Sequence, residues 1–421
     1  MTYEEAIKYI HGVSNFFCKP GLDRIRELCL GLGNPQKSLR FIHVTGTNGK
    51  GSVCSMLNSV LCAEGYKVGL YTSPYVREFN ERMRVNGKNI PNETLAQVTD
   101  KVRGVAEKMT DRPTEFELIT AIAFEFFKEE KCDIVILEVG MGGRLDATNI
   151  IDTPLISIIT GIAIDHTAFL GDTIEKIAYE KAGIIKKDSA VLYGGDDSRA
   201  EAVIANECKE MQSLLYKTDY SQLKIRSMDL DGSKFDYRSR DNVSISLLGA
   251  YQPRNAAIVL DAVDIIKERG LSVSEESVRY GLANAKWPAR FEIICRDPLV
   301  IFDGAHNPQG IDAAVESIKE YFGEEKVVIV SGVLRDKDYR HISKSLCSVA
   351  SSVFTITPDN PRALSAESYA EVIRENGVRA IACNSIEIAL TLAKKEAKKS
   401  EKTVCCLGSL YTYCQVIKLV D

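Results

Sequence analysis

The sequence lacks the long apolar run that a membrane-spanning helix needs, since none of its hydrophobic stretches approaches ~20 residues. Its first residues, M-T-Y-E-E-A-I-K, also lack the basic head and apolar stretch of a secretory signal. These two absences argue against an integral membrane protein and predict a cytoplasmic chain with no membrane partner. The length of 421 residues exceeds one ordinary core and predicts roughly two or three domains.

Paired cysteines and a basic excess are missing as well. The twelve cysteines include no C-x-x-C pair, and several, such as Cys54, Cys62 and Cys132, fall in apolar-periodic segments. We therefore expect small buried thiols in a reducing compartment rather than disulfides or a zinc site.

The charge balance has a slight acidic excess. Because 53 Lys and Arg oppose 58 Asp and Glu, the net charge is −5. General nucleic-acid binding is not expected from this balance, and an anionic substrate would need a local basic cluster.

The most informative stretch is residues 41–52, which read F-I-H-V-T-G-T-N-G-K-G-S. A β-branched and aromatic run leads into a glycine-rich turn, and a helical pattern follows. Such a turn presents backbone N–H groups and a helix N-terminus to an anion. Lys50 can neutralise phosphate oxygens and the Ser52 hydroxyl can hold a magnesium ion, which favours nucleoside-triphosphate chemistry.

This stretch departs from the standard phosphate loop, which has four residues between its glycines and a hydroxyl residue directly after the lysine. Here two residues separate Gly46 from Gly49, and Gly51 lies between Lys50 and Ser52. A tight strand-to-helix turn with a surface lysine is the alternative. The strand–turn–helix setting favours the phosphate loop.

From residue 41 to about 210, strand-like runs alternate with helical patterns, which predicts a mostly parallel sheet covered by helices. A small β-meander is predicted at 222–248, turning at Asp231-Gly232. Asp172 with Glu175 resembles a capping box for the fourth helix. The predicted strands are 41–45, 67–72, 133–139, 155–160 and 190–193. The predicted helices are 50–64, 92–109, 115–130, 173–185, 198–211, 251–268 and 274–284.

A second domain is predicted after the segment W-P-A-R-F-E at 287–292, where Pro288 disfavours helix and a new alternation begins. The predicted fold class is α/β, with a parallel-rich phosphate-loop domain at 1–290 and a smaller, doubly wound, Rossmann-like domain at 291–421. The strands predicted in the second domain are 299–303, 326–331, 353–356, 379–382 and 403–407. Its predicted helices are 308–321, 339–349, 366–375, 385–398 and 409–418.

Two polar side chains follow apolar strands of the first domain. Glu138 ends the run D-I-V-I-L-E and precedes a glycine turn. Its carboxylate is suited to anchor magnesium, which prefers oxygen ligands, and a solvated acid capping the turn is the alternative. His166 follows the run L-I-S-I-I-T. From the residues alone it can be a general base, a magnesium ligand or a structural histidine.

Three further residues stand out. Lys181 lies on a predicted helix beside apolar residues, a pattern typical of a surface lysine that extends its charge to solvent. Asp303 and His306, in D-G-A-H-N-P, close the first strand of the second domain, at the sheet edge where ligands bind. A capped turn with Pro308 opening a helix is compatible with that role.

These residues belong to a series of short motifs. In chain order the series is T-G-T-N-G-K-G-S at 45–52, S-P-Y at 73–75, N-E-R at 80–82, T-E-F-E at 114–117, G-G-R-L-D-A-T-N at 142–149, D-H at 165–166, K-A-G-I-I-K at 181–186, Y-Q-P-R-N-A at 251–256, W-P-A-R-F-E at 287–292, D-G-A-H-N-P at 303–308 and D-K-D at 336–338. Along nearly its whole length the chain resembles folylpolyglutamate synthase and the related bifunctional dihydrofolate synthase, members of the Mur ligase superfamily.

The resemblance implies an ATP- and Mg²⁺-dependent amide ligase, whose partners are L-glutamate and a folate or dihydropteroate. It implies that ATP phosphorylates the acceptor carboxylate and that the amino group of glutamate attacks the acyl phosphate. It also implies that 1–290 is the ATP-binding, Mur-ligase-type domain with the folate pocket and that 291–421 is the ligase domain. A cytoplasmic monomer is expected.

The resemblance also implies roles for individual residues. Ser52 and Glu138 match ligands of a first magnesium ion, and His166 matches a ligand of a second. Lys181 matches a lysine that carries a carbamate, which reverses the expectation from its pattern alone, because a carbamate turns a cation into an anionic oxygen ligand. Lys50, His166 and Lys181 are therefore the expected catalytic residues.

Two sets of binding residues are implied as well. The residues that match ATP contacts are Thr47, Asn48, Gly49, Lys50, Gly51, Ser52, Asn255, Arg290, Asp303 and His306. The residues expected around the folate and its glutamate tail are Gly21, Leu22, Arg24, Ser73, Pro74, Tyr75, Arg82, Thr114, Glu115, Phe116, Glu117 and Asp146. Arg82 can grip a carboxylate bidentately, and a solvated loop charge is its alternative.

One departure concerns substrate choice. Many bifunctional members of the family have histidine where this chain has Tyr75, and members specialised for extending folylpolyglutamate can carry an aromatic residue there. Two other functions are alternatives. A Mur-type ligase acting on a peptidoglycan precursor usually carries a uridine-nucleotide domain before the phosphate loop, where this sequence has about 40 residues. A nucleotide switch without ligase turnover does not account for D-G-A-H-N-P and Y-Q-P-R-N-A.

Overall fold

The chain divides into two compact units, and the computed structural model describes residues 1–13 and 21–420. The first unit comprises residues 1–221 and 255–284, and the second comprises 222–254 and 285–421. This division differs from the predicted domains, 1–290 and 291–421, in two places, because residues 285–290 and the segment 222–254 both belong to the second unit. The segment that carries the meander, 222–254, groups with the later residues and not with the phosphate-loop sheet.

The first unit is built on a sheet of eight strands, counted over the described residues, in the order β4-β3-β2-β5-β1-β6-β7-β8. Its strands are β1 (Phe41–Thr45), β2 (Val68–Tyr71), β3 (Met83–Val85), β4 (Lys88–Asn89), β5 (Ile134–Glu138), β6 (Ile156–Ile159), β7 (Ala190–Tyr193) and β8 (Leu214–Lys217). All neighbours from β2 to β8 pair in parallel, and β3 and β4 add an antiparallel edge. The predicted α/β fold with a parallel-rich sheet is confirmed.

The central strands are apolar because both of their faces are covered. Every residue of β1 and β5 is buried, which matches the continuous apolar runs that the sequence shows there. The covering helices of this unit are α1 (Tyr3–His11), α2 (Asp23–Gly31), α3 (Lys50–Ala63), α4 (Asn92–Ala106), α5 (Glu115–Glu129), α6 (Thr167–Leu170), α7 (Ile174–Ala182), α8 (Ser198–Glu210), α9 (Gln252–Glu268, with its residues from 255 onward in this unit) and α10 (Glu275–Asn284).

Helix α7 shows how a local sequence sets a boundary. Its N-cap is Thr173, whose side chain accepts the N–H of Lys176. The expected capping residue, Asp172, instead accepts the Lys176 amine at 2.8 Å. The capping box predicted for this helix at Asp172 and Glu175 is therefore wrong, because the N-cap is one residue later and the residue three positions after it is Lys176.

The second unit contains the meander and a doubly wound sheet. Its strands are β9 (Leu223–Asp229), β10 (Gly232–Tyr237), β11 (Arg240–Ile245), β12 (Glu292–Arg296), β13 (Leu299–Phe302), β14 (Val327–Ser331), β15 (Ala350–Thr355), β16 (Ala380–Ala382) and β17 (Val404–Leu407). Strands β9 to β11 pair antiparallel, as predicted. The others follow the order β12-β13-β17-β14-β15-β16, with only β12 antiparallel among these described strands. The helices are α11 (Pro308–Phe322), α12 (Tyr339–Cys347), α13 (Ala366–Glu375), α14 (Ile386–Ser400) and α15 (Tyr413–Ile417).

Each unit has its own apolar core. In the first, α5 contributes Leu118, Phe124 and Phe127 to a cluster that also holds Tyr71 of β2. In the second, buried residues of β14 and β15 pack with α11 and α13. In the described part of the chain, no helix is both long and apolar enough to cross a membrane.

Candidate active site

The loop between β1 and α3 is held in place by the loop that follows β6. The Thr47 N–H donates to the Gly161 carbonyl at 2.8 Å, and the Ala163 N–H donates to the Thr47 hydroxyl at 3.0 Å. The Thr160 hydroxyl donates to the Asn48 carbonyl at 2.7 Å. These bonds fix the backbone of the predicted phosphate loop without using the N–H groups at the start of α3.

Two glycines of this loop are required by close contacts. Gly46 has φ +150, and a Cβ built there would lie 1.9 Å from the Thr160 hydroxyl. Gly49 is the N-cap of α3 and has φ +87, a left-handed conformation that disfavours other residues. A Cβ at Gly49 would lie 2.7 Å from Oδ1 of Asn255, so the structure brings this predicted ATP-contact residue to the loop.

Two lysines converge on one carbonyl oxygen of the loop. Lys50 Nζ donates to the Gly46 carbonyl at 3.0 Å and to the Thr47 carbonyl at 3.2 Å. Lys181 Nζ donates to the same Gly46 oxygen at 2.8 Å. Burial, with the nearby charge of Lys50, lowers the pKa of Lys181 to about 7. Lys181 is thus a buried group beside the loop, and its predicted surface position from pattern alone is wrong.

Two buried oxygen donors flank this loop. Ser52 lies in the first turn of α3 and is 3% exposed, and Glu138 ends β5 and is 4% exposed. Glu138 pairs in register with Val44 of β1, so its strand ends beside the start of the loop. The N–H of Ser73 donates to Glu138 Oε2 at 3.1 Å. A hydroxyl and a carboxylate are oxygen donors of the type that Mg²⁺ prefers, so these two residues fit that ion.

His166 lies at the start of the short helix α6, in a left-handed conformation with φ +51. Its Nε2 lies 4.0 Å from Oδ2 of Asp165, and about half of its side chain is exposed. Within the described ranges, no three side chains of His, Cys, Asp or Glu form a group that could hold a metal ion. Ser52 and Lys181 are outside those four residue types.

The predicted folate side begins with a buried ion pair. Arg24 Nε donates to Glu117 Oε2 at 3.0 Å, and these side chains are 10% and 6% exposed. Glu117 and Thr114 form a capping box at the start of α5, because Glu117 also accepts the Thr114 N–H at 2.7 Å. Glu115 lies 3.0 Å from Nδ1 of His11. The structure therefore gives Arg24, Thr114 and Glu117 partners within the protein.

An aromatic and cationic group lies after β2. The Arg82 guanidinium lies 5.1 Å from the Tyr75 ring centroid and 5.7 Å from that of Phe79. Nε of Arg82 is buried and has no hydrogen-bond partner among the described residues. Tyr75 is 36% exposed. A guanidinium with an unused buried donor, next to an accessible ring, suits an anionic ligand.

The glycine turn after Glu138 contacts α5 and is tied internally. A Cβ at Gly140 would lie 2.5 Å from Cζ of Phe116, so this predicted pocket residue packs directly on the turn. Asp146 Oδ2 accepts the Met141 N–H at 3.0 Å. Its Oδ1 accepts the N–H of Thr148 at 3.0 Å and the hydroxyl of Thr148 at 2.6 Å. Burial raises the pKa of Asp146 while these hydrogen bonds oppose that rise.

The remaining residues predicted to bind folate lie near α2 and after β2. Leu22 is the N-cap of α2 and is buried in the core of the first unit. Gly21 directly precedes it and is half-buried. Ser73 contacts Glu138 as described, and Pro74 follows it and is exposed. The contacts of these residues with a ligand stay predictions.

The second unit brings three predicted ATP residues together within itself. Asp303 accepts the Tyr251 hydroxyl at 2.7 Å and the Phe291 N–H at 2.8 Å. Burial raises the pKa of Asp303, and the charge of Arg290 opposes the rise. A Cβ at Gly304 would lie 3.2 Å from Nη1 of Arg290, and His306 Nδ1 lies 2.9 Å from the Gly304 carbonyl oxygen.

Two residues whose side-chain hydrogen bonds hold the glycine turn in place are not identified from the sequence. Thr148 and Asn149 belong to the quoted string G-G-R-L-D-A-T-N, but no role was predicted for them. Asn149 donates to the carbonyls of Arg144 and Gly183, at 3.1 and 2.9 Å, and so joins the glycine turn to the end of α7. The D-x-T spacing is a known signal for a side chain that bonds its own backbone two residues on.

The comparisons with known proteins agree with this geometry. The Mur ligase middle domain family matches residues 44–263, and the family described as Mur ligase, glutamate ligase domain matches residues 289–410. The chain is 36% identical to a folylpolyglutamate synthase of Lacticaseibacillus casei, over 98% of this chain and 97% of that protein. It is 38% identical to a dihydrofolate synthase/folylpolyglutamate synthase of Bacillus subtilis, over 86% of each chain.

A solved structure extends the likeness to three dimensions. Escherichia coli FolC in complex with DHPP and ADP aligns with a TM-score of 0.88 at 33% identity, covering 100% of this chain and 98% of that chain. The likeness therefore includes both units and is not restricted to the phosphate loop.

Proposed function

We propose that this chain, which belongs to the folylpolyglutamate and dihydrofolate synthases of the Mur ligase family, joins L-glutamate to a folate in an ATP-dependent reaction. The observation that carries the proposal is the loop after β1, where Lys50 and Lys181 meet at one carbonyl oxygen next to the N-terminus of α3. Cationic groups and N–H donors gathered at one loop suit a triphosphate. The relative that holds DHPP and ADP supports both substrates.

The chemistry is activation of a carboxylate followed by amide formation. A carboxylate is a poor electrophile, because its charge is delocalised and it has no good leaving group. Transfer of the γ-phosphoryl group of ATP to the acceptor carboxylate gives an acyl phosphate and ADP. The neutral amino group of glutamate then attacks the carbonyl carbon, the C–O bond to phosphate breaks, and the nitrogen loses a proton. Phosphoryl transfer depends mainly on positioning and charge neutralisation, which the loop is built to provide.

Within this reaction the loop residues bind and orient the nucleotide. Lys50 is proposed to leave the Gly46 and Thr47 carbonyls and pair with phosphate oxygens, since its amine is held only by neutral acceptors there. The N–H groups of Asn48, Gly49 and Gly51 are proposed to bind phosphate at the helix N-terminus. Asn255, which approaches Gly49, is proposed to contact the nucleotide.

Magnesium is part of the proposal. The oxygen donors Ser52 and Glu138 would hold a first ion, and His166 with a modified Lys181 would hold a second. When bound, Mg²⁺ neutralises phosphate charge. The nitrogen of His166 is a less favoured donor for this ion, so its proposed role rests on the family resemblance.

A carbamate on Lys181 is proposed as well. Carbon dioxide reacts with a neutral amine, and burial beside Lys50 lowers the pKa of Lys181 to about 7. The neutral form is therefore well populated near neutral pH. Once formed, the carbamate would replace one of two neighbouring cations with an anion, which removes their mutual repulsion.

The folate is proposed to bind along α5 and the glycine turn, with Phe116 and Asp146 on the pterin side. Arg82 is proposed to grip an anionic glutamate tail, supported by its buried, unpartnered Nε. Tyr75 would lie beside that tail, because its ring faces the Arg82 guanidinium. In the second unit, the mutual proximity of Arg290, Asp303 and His306 supports their proposed contacts with ATP.

A phosphate-release assay tests this function. ATP, Mg²⁺ and L-glutamate are supplied, and dihydropteroate and reduced folates are compared as acceptors. Release with reduced folates alone assigns folylpolyglutamate synthesis, and release with both assigns a bifunctional enzyme. A chain that binds ATP but releases no phosphate with either acceptor behaves as a nucleotide switch. Release only with a nucleotide-linked peptide acceptor would assign the peptidoglycan alternative. A cytoplasmic, monomeric enzyme is proposed.

A further inference from the structure

A buried histidine that is not among the proposed catalytic residues is linked by hydrogen bonds to the glycine turn, residues 140–143. His43 lies in the middle of β1 and is fully buried. Its Nε2 lies 3.0 Å from the hydroxyl oxygen of Thr148, which lies 2.6 Å from Oδ1 of Asp146. Its other ring nitrogen, Nδ1, is buried and has no hydrogen-bond partner among the described residues.

The direction of the hydrogen bonds that link His43, Thr148 and Asp146 follows from the number of protons that each side chain can donate. An ionised carboxylate only accepts hydrogen bonds, and a hydroxyl has one proton to donate. Burial raises the pKa of Asp146, and the N–H groups of Met141 and Thr148, which it accepts at 3.0 Å each, oppose that rise and favour the ionised form. The Thr148 hydroxyl therefore donates to Asp146 and must accept from His43, which places the imidazole proton on Nε2.

The opposite arrangement leaves two groups unsatisfied. A proton on Nδ1 of His43 would be a buried N–H donor without an acceptor, which costs free energy. Nε2 would then need the only proton of Thr148, so the 2.6 Å contact with Asp146 would lose its hydrogen. Burial also lowers the pKa of His43 to about 3, so the ring is neutral near neutral pH.

The hydrogen bonds from His43 end at the glycine turn, which contacts the proposed folate pocket. Asp146 holds the turn through the Met141 N–H. One residue earlier, Gly140 is in such close contact with Phe116 that a Cβ would not fit. A shift of this turn therefore moves Phe116, which is part of the proposed folate pocket.

We propose that His43 is a positioning residue for the folate pocket, acting as the neutral Nε2–H imidazole that directs the Thr148 hydroxyl onto Asp146 and so fixes the glycine turn against Phe116. The hydrogen-bond direction stands without the proposed function. Only the identity of the pocket's ligand rests on it.

The direction is tested by ¹⁵N NMR of the full chain labelled at its histidine rings. The sequence has five histidines, and a His43→Gln variant identifies the signal of this one. We expect a neutral ring with an unprotonated Nδ1 and a protonated Nε2. A protonated Nδ1, in either the other neutral tautomer or the imidazolium form, overturns the proposal. This measurement needs no turnover, so it remains decisive if the ligase function fails.

The positioning role is tested by a pair of variants. His43→Gln keeps an N–H donor near the place of Nε2, whereas His43→Leu removes it and keeps an apolar side chain. We expect His43→Leu to raise the KM for the folate acceptor about five- to tenfold, with kcat and the KM for ATP within about twofold. His43→Gln should restore the KM to within about twofold of the unmodified chain.

Equal KM values in the two variants, or a loss confined to kcat, overturn the role. If His43→Leu fails to fold, Thr148→Val and Thr148→Ser give the same comparison, because only serine keeps the hydroxyl. We expect the valine variant to raise the KM for the acceptor and the serine variant to leave it near that of the unmodified chain. No difference between these two variants also overturns the proposal.

Discussion

The side-chain amine of Lys181 lies 2.8 Å from the carbonyl oxygen of Gly46, although 135 positions separate them in the chain. This contact fixes a buried amine on the backbone of the phosphate loop itself. A second lysine, Lys50, uses the same oxygen. Because two cations in one place repel each other, the neutral amine is favoured, which is also the form that reacts with carbon dioxide.

Lys181→Ala should lower turnover by at least about 10²-fold, the loss typical of removing one charge-stabilising group. The substitution shortens a buried side chain, so circular dichroism should confirm that the fold is kept. The matched control is Lys187→Ala, which changes an exposed lysine of the same segment and should leave turnover unchanged. A small carboxylate added to Lys181→Ala should restore part of the activity, since it can supply the lost oxygens. An unmodified mass for the wild-type chain in bicarbonate, under non-denaturing conditions, would contradict the carbamate.

Lys50→Ala should abolish phosphate release and weaken ATP binding, because the loop loses the cation placed at its centre. Binding of a fluorescent ATP analogue and phosphate release measure the two effects separately. Lys88→Ala, at an exposed lysine of the antiparallel edge, serves as the control. A Lys50→Ala chain with full activity would show that this loop does not bind the triphosphate.

Gly49→Ala should destabilise the first unit and weaken nucleotide binding. The new Cβ would meet Asn255 Oδ1 at 2.7 Å, and φ +87 is strained for alanine. Gly104→Ala is the matched control, because Gly104 lies in α4 with no atom within 4 Å of a Cβ built there. It should stabilise the chain by about 0.5–1 kcal/mol, measured by urea unfolding. Equal effects of the two substitutions would contradict the contact with Asn255.

The parts of the fold that the sequence predicts well are those with one dominant pattern. β1 and β5 are buried along their whole length, so continuous apolar runs mark them clearly. The sequence does not predict β8, because its terminal residues are exposed and its middle residues are only half-buried. The sequence does not predict β3 and β4, because they are short. They also lie at the edge of the sheet, where the strands are not buried on both faces and lack a continuous apolar run.

For the functional site, prediction from sequence is limited by contacts between residues that are far apart in the chain. The spacing of the motif predicts that Lys50 and Ser52 lie at the start of a helix after a strand, and the structure has both residues in the first turn of α3. The contact between Lys181 and Gly46 joins distant segments, and no local pattern predicts it. The pattern T-E-F-E at 114–117 also has the T-x-x-E spacing of a capping box, which α5 uses and which the resemblance to folate-binding enzymes does not indicate; its contacts with a folate stay a prediction.

Glu117→Gln should destabilise the first unit by about 2–4 kcal/mol, since it leaves the largely buried Arg24 without its closest carboxylate. The exposed Asp111 lies 3.5 Å from Arg24 and compensates only in part. Urea unfolding measures the loss. Arg26→Ala is the matched control, because Arg26 lies on the same helix with a mostly exposed side chain and should change stability by less than about 0.5 kcal/mol. Equal losses in the two variants would contradict the assignment of a buried ion pair.

The buried ring of His43 should make folding stability depend on acidity. In the unfolded chain this histidine binds a proton below about pH 6.5, whereas burial lowers its pKa in the folded chain to about 3. Between these values only the unfolded state gains the proton, so the stabilising effect of the neutral ring is complete above about pH 6.5 and declines as the pH falls toward 3. Each unit of pH in that window costs up to about 1.4 kcal/mol.

His43→Gln removes this titration and leaves the carboxylates unchanged. Urea unfolding of both chains at a series of pH values should therefore show a shallower decline for the variant below about pH 6.5, and parallel curves above it. Carboxylates that titrate in the same range affect both chains equally, so the difference between the curves isolates one group. Curves that stay parallel down to pH 4 would mean that the ring takes up its proton in the folded state, which the unpartnered Nδ1 and the donated Nε2–H both oppose.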